Sequence, residues 1–264
     1  MSDAVESPDS PTTGSSAHPF AGTRAAHAPQ PAWSPAIFGR LALGAVVLGV
    51  LLVAAGLVLT RLLYSWTHAE GLLERWLLAH RTRAWNDITL VASDLAKTAT
   101  AVAVAAVAFF VLRVWLRRWH ESLVLVIALA GEVLIFLTVA FIVHRPRPPV
   151  FRLDPAPPTS SFPSGHTAAA VVVYGFLAFV IWRYMANRYL AAMLCALLIA
   201  VPVAVGLSRL YRGAHFPSDV IAGAVLGVVW LSFVIRTLLP DHPREQRRTT
   251  PLKGSDSSPD VGLA

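Results

Sequence analysis

"LALGAVVLGVLLVAAGLVLT", residues 41–60, runs for twenty positions without a charge. A helix rising 1.5 Å per residue needs about 20 mainly apolar residues to cross ~30 Å of hydrocarbon, so this stretch reads as a membrane span. The rest of the chain agrees with a bilayer as its solvent. Of 264 residues, 55% are hydrophobic and only 14% charged, and the mean hydropathy is +0.59, unlike the makeup of a water-soluble domain. The net charge of +7 is scattered among apolar spans rather than gathered on one polar face, which argues against a nucleic-acid partner. A single cysteine, Cys195, inside an apolar run excludes a disulfide framework and a cysteine metal site.

Working outward from residues 41–60, six stretches qualify as spans: 36–63, 98–116, 122–143, 166–182, 189–208 and 220–235. The fold expected is therefore all-α, an integral membrane bundle of six transmembrane helices. Residues 64–97 mix Trp66, Trp76 and Trp85 with charges and apolar pairs. That pattern suits an amphipathic segment at the interface after the first helix, where indole rings settle, and equally an ordinary extramembrane hairpin. Residues 1–35 and 239–264 are rich in Ser, Pro, Thr and charges and are expected to be disordered tails around a 36–238 membrane domain. The N-terminus has neither a basic start nor an apolar core of the kind a cleavable secretory signal carries.

Six spans put both termini on one side. The connections after spans two and four carry Arg113, Arg117, Arg118, Arg183 and Arg188, and the C-terminal segment adds Arg236, Arg244, Arg247, Arg248 and Lys253. By the positive-inside rule those segments, with both termini, are cytoplasmic, and the connections after spans three and five face outward. Three polar stretches fall on that outer side: "HRPRPP" (144–149), "PSGH" (163–166) and "SRLYRGAHFPSD" (208–219). "RPRP" alone is weak, because proline-rich loops with arginines are often merely solvated. "PSGH" alone also reads as a helix start, with Ser164 as N-cap. His215 and Asp219 are harder to dismiss, because four residues apart on a helix they share one face.

Together these residues are what phosphoryl transfer without a metal or other cofactor requires, since its transition state spreads charge over oxygens that positioned cations and N–H donors can hold. Arg147 and Arg209 offer planar forks for two oxygens each. Ser164 adds a hydroxyl, and Gly165 lets an anion approach backbone amides at a positive helix end. His215, oriented by Asp219, suits a nucleophile; His166, with no neighbouring carboxylate in sequence, suits the general acid. The catalytic set is thus His215, His166 and Asp219, acting through a phosphohistidine. Arg145, Ser208 and Arg212 are accessory candidates, with His144 and Tyr211 ranked lower.

In these motifs the sequence resembles the type 2 phosphatidic acid phosphatase superfamily, the membrane lipid phosphate phosphatases. The family pattern is lysine, six residues, Arg-Pro; then Pro-Ser-Gly-His; then Ser-Arg, five residues, His, three residues, Asp. Here Arg147-Pro148 is the first pair, Pro163 to His166 the second motif, and Ser208-Arg209 through His215 to Asp219 the third. The family lysine falls on Ala140, and the chain's two lysines are Lys97 and Lys253; Arg145, Arg152 or Arg212 could supply the charge instead. The resemblance implies a phosphatase of a lipid monophosphate or diphosphate, of the phosphatidic acid or polyprenyl diphosphate type, in a bacterial cell membrane with its site on the extracytoplasmic face. A phosphotransferase with an acceptor other than water, a weakly active phosphate-binding protein and a transporter are the competing readings. Residues 150–161 are expected to shape headgroup choice. Glu132, inside the third span, either lines the substrate path or pairs with another helix.

Overall fold

The computed structural model describes residues 33–115, 117–155 and 159–239. Among them the fold is all helical and spans a membrane: α1 (Pro35–Arg61), α2 (Tyr64–Ala79), α3 (Arg83–Asp94), α4 (Thr98–Phe110), α5 (Trp119–Val143), α6 (Gly165–Tyr184), α7 (Arg188–Tyr211) and α8 (Pro217–Leu238). The expected tails lie outside the described residues except for 33–35 and 239, and Pro35 already begins α1. Five helices, α1 and α5 to α8, are long and apolar enough to cross a bilayer. The sixth span is made differently from the sequence expectation: α4 is only 13 residues long, passes into a π turn at Val111–Trp115, and reaches span length only together with α3, from which it bends by 49°.

The bundle is apolar on both faces. Leu43, Leu134 and Phe141 are 65%, 65% and 76% exposed, as befits side chains that meet lipid rather than water. Without a hydrophobic drive between helices in lipid, close packing of small residues holds them together. The clearest case is one face of α8, where Asp219, Gly223 and Gly227 follow at one-turn intervals. A Cβ on Gly227 would lie 2.6 Å from Val171 Cβ and 2.9 Å from the Ala168 carbonyl oxygen, and one on Gly223 would lie 2.3 Å from the Ser164 carbonyl oxygen. α6 therefore rests directly on the α8 backbone, and its first turn is fixed against the first turn of α8.

At the end where α5 ends, α6 begins, and α7 passes to α8 through 212–216, the α2–α3 pair folds over the bundle. Arg81, between these helices, donates to the Tyr211 carbonyl at 2.9 and 3.1 Å and to the Phe151 carbonyl at 2.7 Å, satisfying a backbone acceptor that the end of α7 leaves open. Trp66, Trp76 and Trp85 are all more than half exposed. The segment is thus a pair of helices with an outward aromatic face. The opposite end gathers Arg113, Arg118, Arg183, Arg188 and Arg236 at helix termini, with Arg118 stacked 4.1 Å over the Tyr184 ring.

Candidate functional site

His215 lies in the short turn between α7 and α8 and is buried. Its Nδ1 is 2.7 Å from the Ser161 carbonyl oxygen. A carbonyl oxygen can only accept, so Nδ1 carries the hydrogen and Nε2 keeps its lone pair. On that side Arg147 Nη1 approaches to 3.4 Å, itself held by the Ala214 carbonyl at 2.8 Å. Burial lowers the proton affinity of His215, the nearby Asp219 carboxylate works against that, and Arg147 and Arg209 add to the lowering, which favours the neutral ring.

Asp219 is placed otherwise than its four-residue spacing suggests. Its Oδ2 stands 3.8 Å from His215 Nδ1, an electrostatic contact too long for a hydrogen bond. The carboxylate instead accepts the Ser161 hydroxyl at 2.5 Å, the Phe216 N–H at 2.9 Å and Arg145 Nη1 at 2.5 Å. Ser161 thus presents its carbonyl to the imidazole and its hydroxyl to the carboxylate. Asp219 at the third helical position, bonded to the N–H before the helix, also fixes where α8 begins.

At the start of α6, Ser164 occupies the N-cap position but makes no side-chain cap bond. Its N–H donates to the Asp219 carbonyl at 2.9 Å. Its hydroxyl accepts from Thr167 Oγ1 at 3.0 Å, which leaves its own hydrogen for another acceptor. The amides of Gly165 and His166 begin the helix and have no partner within it. His166 is half-buried and lies within electrostatic range of Arg209, His215, Asp154 and Arg147. The structure therefore brings together His166, Ser164, Gly165, Arg147, Arg209, His215 and Asp219 from three separate stretches.

The accessory candidates are held elsewhere. Arg145 faces Asp219 from the side away from His215 and is nearly inaccessible. Ser208 returns its hydroxyl to the Val205 carbonyl of its own helix at 2.7 Å. Arg212 grips Asp154 through Nε and Nη2 at 2.7 and 2.5 Å and the Asn86 carbonyl at 3.0 Å. Asp154 also meets Arg209 Nη1 at 2.9 Å, beside Ser93 Oγ at 2.7 Å. Burial raises the Asp154 carboxyl, but its hydrogen bonds and ion pairs with Arg212 and Arg209 outweigh that and hold it ionised. Even so, Nε of Arg147 and Nε of Arg209 are buried with no acceptor among the described residues. His144 and Arg152 are exposed, and Tyr211 accepts the Thr82 N–H at 2.9 Å. Glu132 sits about 16 Å down α5 from Val143, buried, with neither oxygen bonded among the described residues.

Sequence reasoning missed Ser161, Asp154 and the α2 carboxylates Glu70 and Glu74. Thr67, Glu70 and Glu74 form a polar stripe on a helix whose Leu72, Leu73 and Trp76 face outward, and that stripe was the available signal. Burial pushes Glu74 up to about 8, opposed by Arg81 and reinforced by Asp219 and Glu70. Among the described residues no group of three or more His, Cys, Asp and Glu side chains is arranged to hold a metal ion.

A family model described as the PAP2 superfamily matches residues 121–241. The bacitracin transport permease protein BcrC of Bacillus licheniformis is 32% identical over 107 residues, 37% of this chain and 48% of that protein. An undecaprenyl-diphosphatase of Sulfolobus acidocaldarius is 36% identical over 90 residues, 33% of this chain and 37% of that one. The chain therefore aligns with less than half the length of these relatives. Among solved structures, the crystal structure of a transmembrane PAP2 type phosphatidylglycerolphosphate phosphatase from Bacillus subtilis superposes with a TM-score of 0.60 at 22% identity, covering 73% of this chain and 92% of that one, a likeness of fold.

Proposed function

We propose, for a chain whose residues 121–241 match the PAP2 superfamily model, that it hydrolyses a phosphomonoester or diphosphate of a membrane lipid through a phosphohistidine. The observation that carries this reading is His215, with Nδ1 bonded to the Ser161 carbonyl and Nε2 left beside Arg147. An imidazole so held can direct only one lone pair, and it directs it to a place bordered by guanidinium groups.

In the first step His215 Nε2 forms a bond to phosphorus while the bond from phosphorus to the lipid oxygen breaks. His166 delivers a proton to that leaving oxygen, so the lipid departs as a neutral alcohol or as its monophosphate. In the second step a water attacks phosphorus, His166 takes back a proton, the N–P bond breaks and inorganic phosphate leaves. Through both, the hydrogen stays on Nδ1, donated to the Ser161 carbonyl, while Asp219, 3.8 Å away, stabilises the positive ring electrostatically and acts as a positioning residue. Arg147 and Arg209, the Ser164 hydroxyl and the first amides of α6 are suited to the phosphate oxygens.

The lipid part of the substrate has a route. A groove of about 510 Å³ runs between α6, α7 and α8, lined by Thr167, Val171, Gly175, Pro202, Gly206 and Val203 among others. It begins at Thr167, next to His166, and its apolar walls suit an alkyl or prenyl chain. With Arg145, Arg147, Arg209 and Arg212 accounted for by the site network, the arginines at the far end of the bundle, read by the positive-inside rule, support a site on the extracytoplasmic face of a bacterial cell membrane, with both termini cytoplasmic.

The test is phosphate release by the detergent-purified protein from phosphatidic acid, phosphatidylglycerophosphate and a polyprenyl diphosphate, in excess chelator. Turnover is expected, with inhibition by vanadate and loss of at least ~10³-fold in kcat for His215→Ala. Undiminished turnover in that variant would remove the mechanism, and phosphate appearing on an added alcohol instead of in solution would make the protein a transferase.

A further inference from the structure

Asp219 is not the end of the charged chain behind His215. Arg145, with a side chain 1% exposed, donates through Nη1 to Asp219 Oδ1 at 2.5 Å and to Ser218 Oγ at 2.6 Å. Its Nη2 donates to Glu70 Oε2 at 2.9 Å and Thr67 Oγ1 at 3.3 Å, and its guanidinium lies 4.5 Å over the Phe216 ring. Glu70 in turn accepts the backbone N–H of Ser218 at 2.7 Å and its hydroxyl at 2.9 Å. A carboxylate on α2 is thereby fastened to the first turn of α8 and to the arginine that holds Asp219.

We infer that Glu70 is a positioning residue for the proposed reaction, acting through Arg145 on Asp219 and hence on His215. The inference rests on the functional reading above. One buried guanidinium serves two buried carboxylates, so neither neutralises it alone. While Glu70 draws on Nη2, Asp219 keeps charge to spare for the imidazole 3.8 Å away. Without the Glu70 charge, Arg145 turns wholly to Asp219 and the surroundings of His215 become more positive by one unit. Two consequences follow: the cationic ring formed in phosphoryl transfer is less stable, and free His215 binds its proton less readily. Glu70 also sits at the N-terminus of α8 with bonds to its backbone, where a negative charge is favoured by the helix dipole. Because α2 presents Leu72, Leu73 and Trp76 outward, this clamp is mounted on the element that faces the lipid interface.

The groups that bear on His215 are Asp219 from α8, Arg147 from the loop after α5, Arg209 from α7 and His166 from α6. Glu70→Gln changes none of these directly, so a shift in the acid limb of kcat/KM reports the relay. The probe is dioleoyl phosphatidic acid or farnesyl diphosphate in mixed micelles, whichever the wild type turns over. E70Q is expected to lose about tenfold or more in kcat with KM within threefold, and its acid limb is expected to move to lower pH. Glu70→Asp, which keeps the charge, is expected to recover part of the rate and the wild-type limb. E70Q with wild-type kcat and an unmoved limb overturns the inference. Should E70Q fail to fold, Ser218→Ala removes only the neutral hydroxyl shared by Glu70 and Arg145. It is then expected to lower kcat about threefold or more at constant KM, and unchanged kcat there overturns the inference equally. Absence of turnover in the wild type would instead fail the functional reading, so the two failures are distinct.

Discussion

Replacing Gly223 by alanine tests whether the contact between α6 and α8 sets the geometry of the site. The added Cβ would stand 2.3 Å from the Ser164 carbonyl oxygen and 3.2 Å from its carbonyl carbon. Since nonbonded carbon and oxygen rest at a little over 3 Å, the two backbones must separate by about 1 Å. Backbone cannot rotate out of the way as a side-chain tip can. Ser164 is bonded to α8 through the Asp219 carbonyl and to α6 through Ala168, so the displaced unit is the whole 163–166 turn, carrying His166 away from His215. Overpacking of this kind costs about 1–3 kcal/mol in stability. A misplacement near 1 Å between reacting groups costs about 10²-fold in rate. The assay compares phosphate release and thermal unfolding of Gly223→Ala with those of Gly39→Ala, where an added Cβ meets nothing within 4 Å. Unfolding can be followed through the partly shielded thiol of Cys195. A G223A protein with the kcat and melting temperature of G39A would refute the claim that this contact aligns the site.

Three other outcomes are expected. Because burial lowers the proton affinity of His215 and only the neutral ring attacks, the acid limb of kcat/KM that His215 sets should lie below the usual histidine value near 6.5; an acid limb above 6.5 would contradict this. Asp154→Asn removes the charge shared by Arg209 and Arg212, so inorganic phosphate or vanadate should inhibit about tenfold more tightly; weaker inhibition would mean that Asp154 organises the arginines more than it competes with an anion. Val203→Trp fills the groove between α6, α7 and α8 and should raise KM at least about tenfold for a long-chain substrate, but not for a short-chain analogue, as the loss of a few buried methylenes requires; equal effects on both would place the chain elsewhere.

Much of this protein was legible without coordinates because the signals involved are local. The length of residues 41–60 fixes a span through a backbone rise that is the same in every helix. Arg113, Arg118, Arg183, Arg188 and Arg236 mark one end of the bundle, and the three polar stretches name the chemical groups gathered at the other, His215 and Asp219 among them. The second span is less legible. Residues 98–116 are apolar enough, but the helix there changes to a π turn and depends on α3 for its length, which composition does not register.

Local spacing could not say which partners each side chain takes. His215 and Asp219 are four residues apart, yet the imidazole is bonded to the Ser161 carbonyl and the carboxylate to Ser161, Phe216 and Arg145. Nor could it say that Glu70, 75 residues before Arg145, would complete that network, or that Asp154 would stand between Arg209 and Arg212. Helix periodicity fixes the direction of a side chain within its own helix. Partners on other helices depend on relative rotation and depth, and these are set by where backbones touch, as at Gly223 and Gly227 against the start of α6. Residue order settles the solvent, most of the helices and the chemical groups; packing settles which atoms face one another, because that is a property of pairs of helices and not of any one of them.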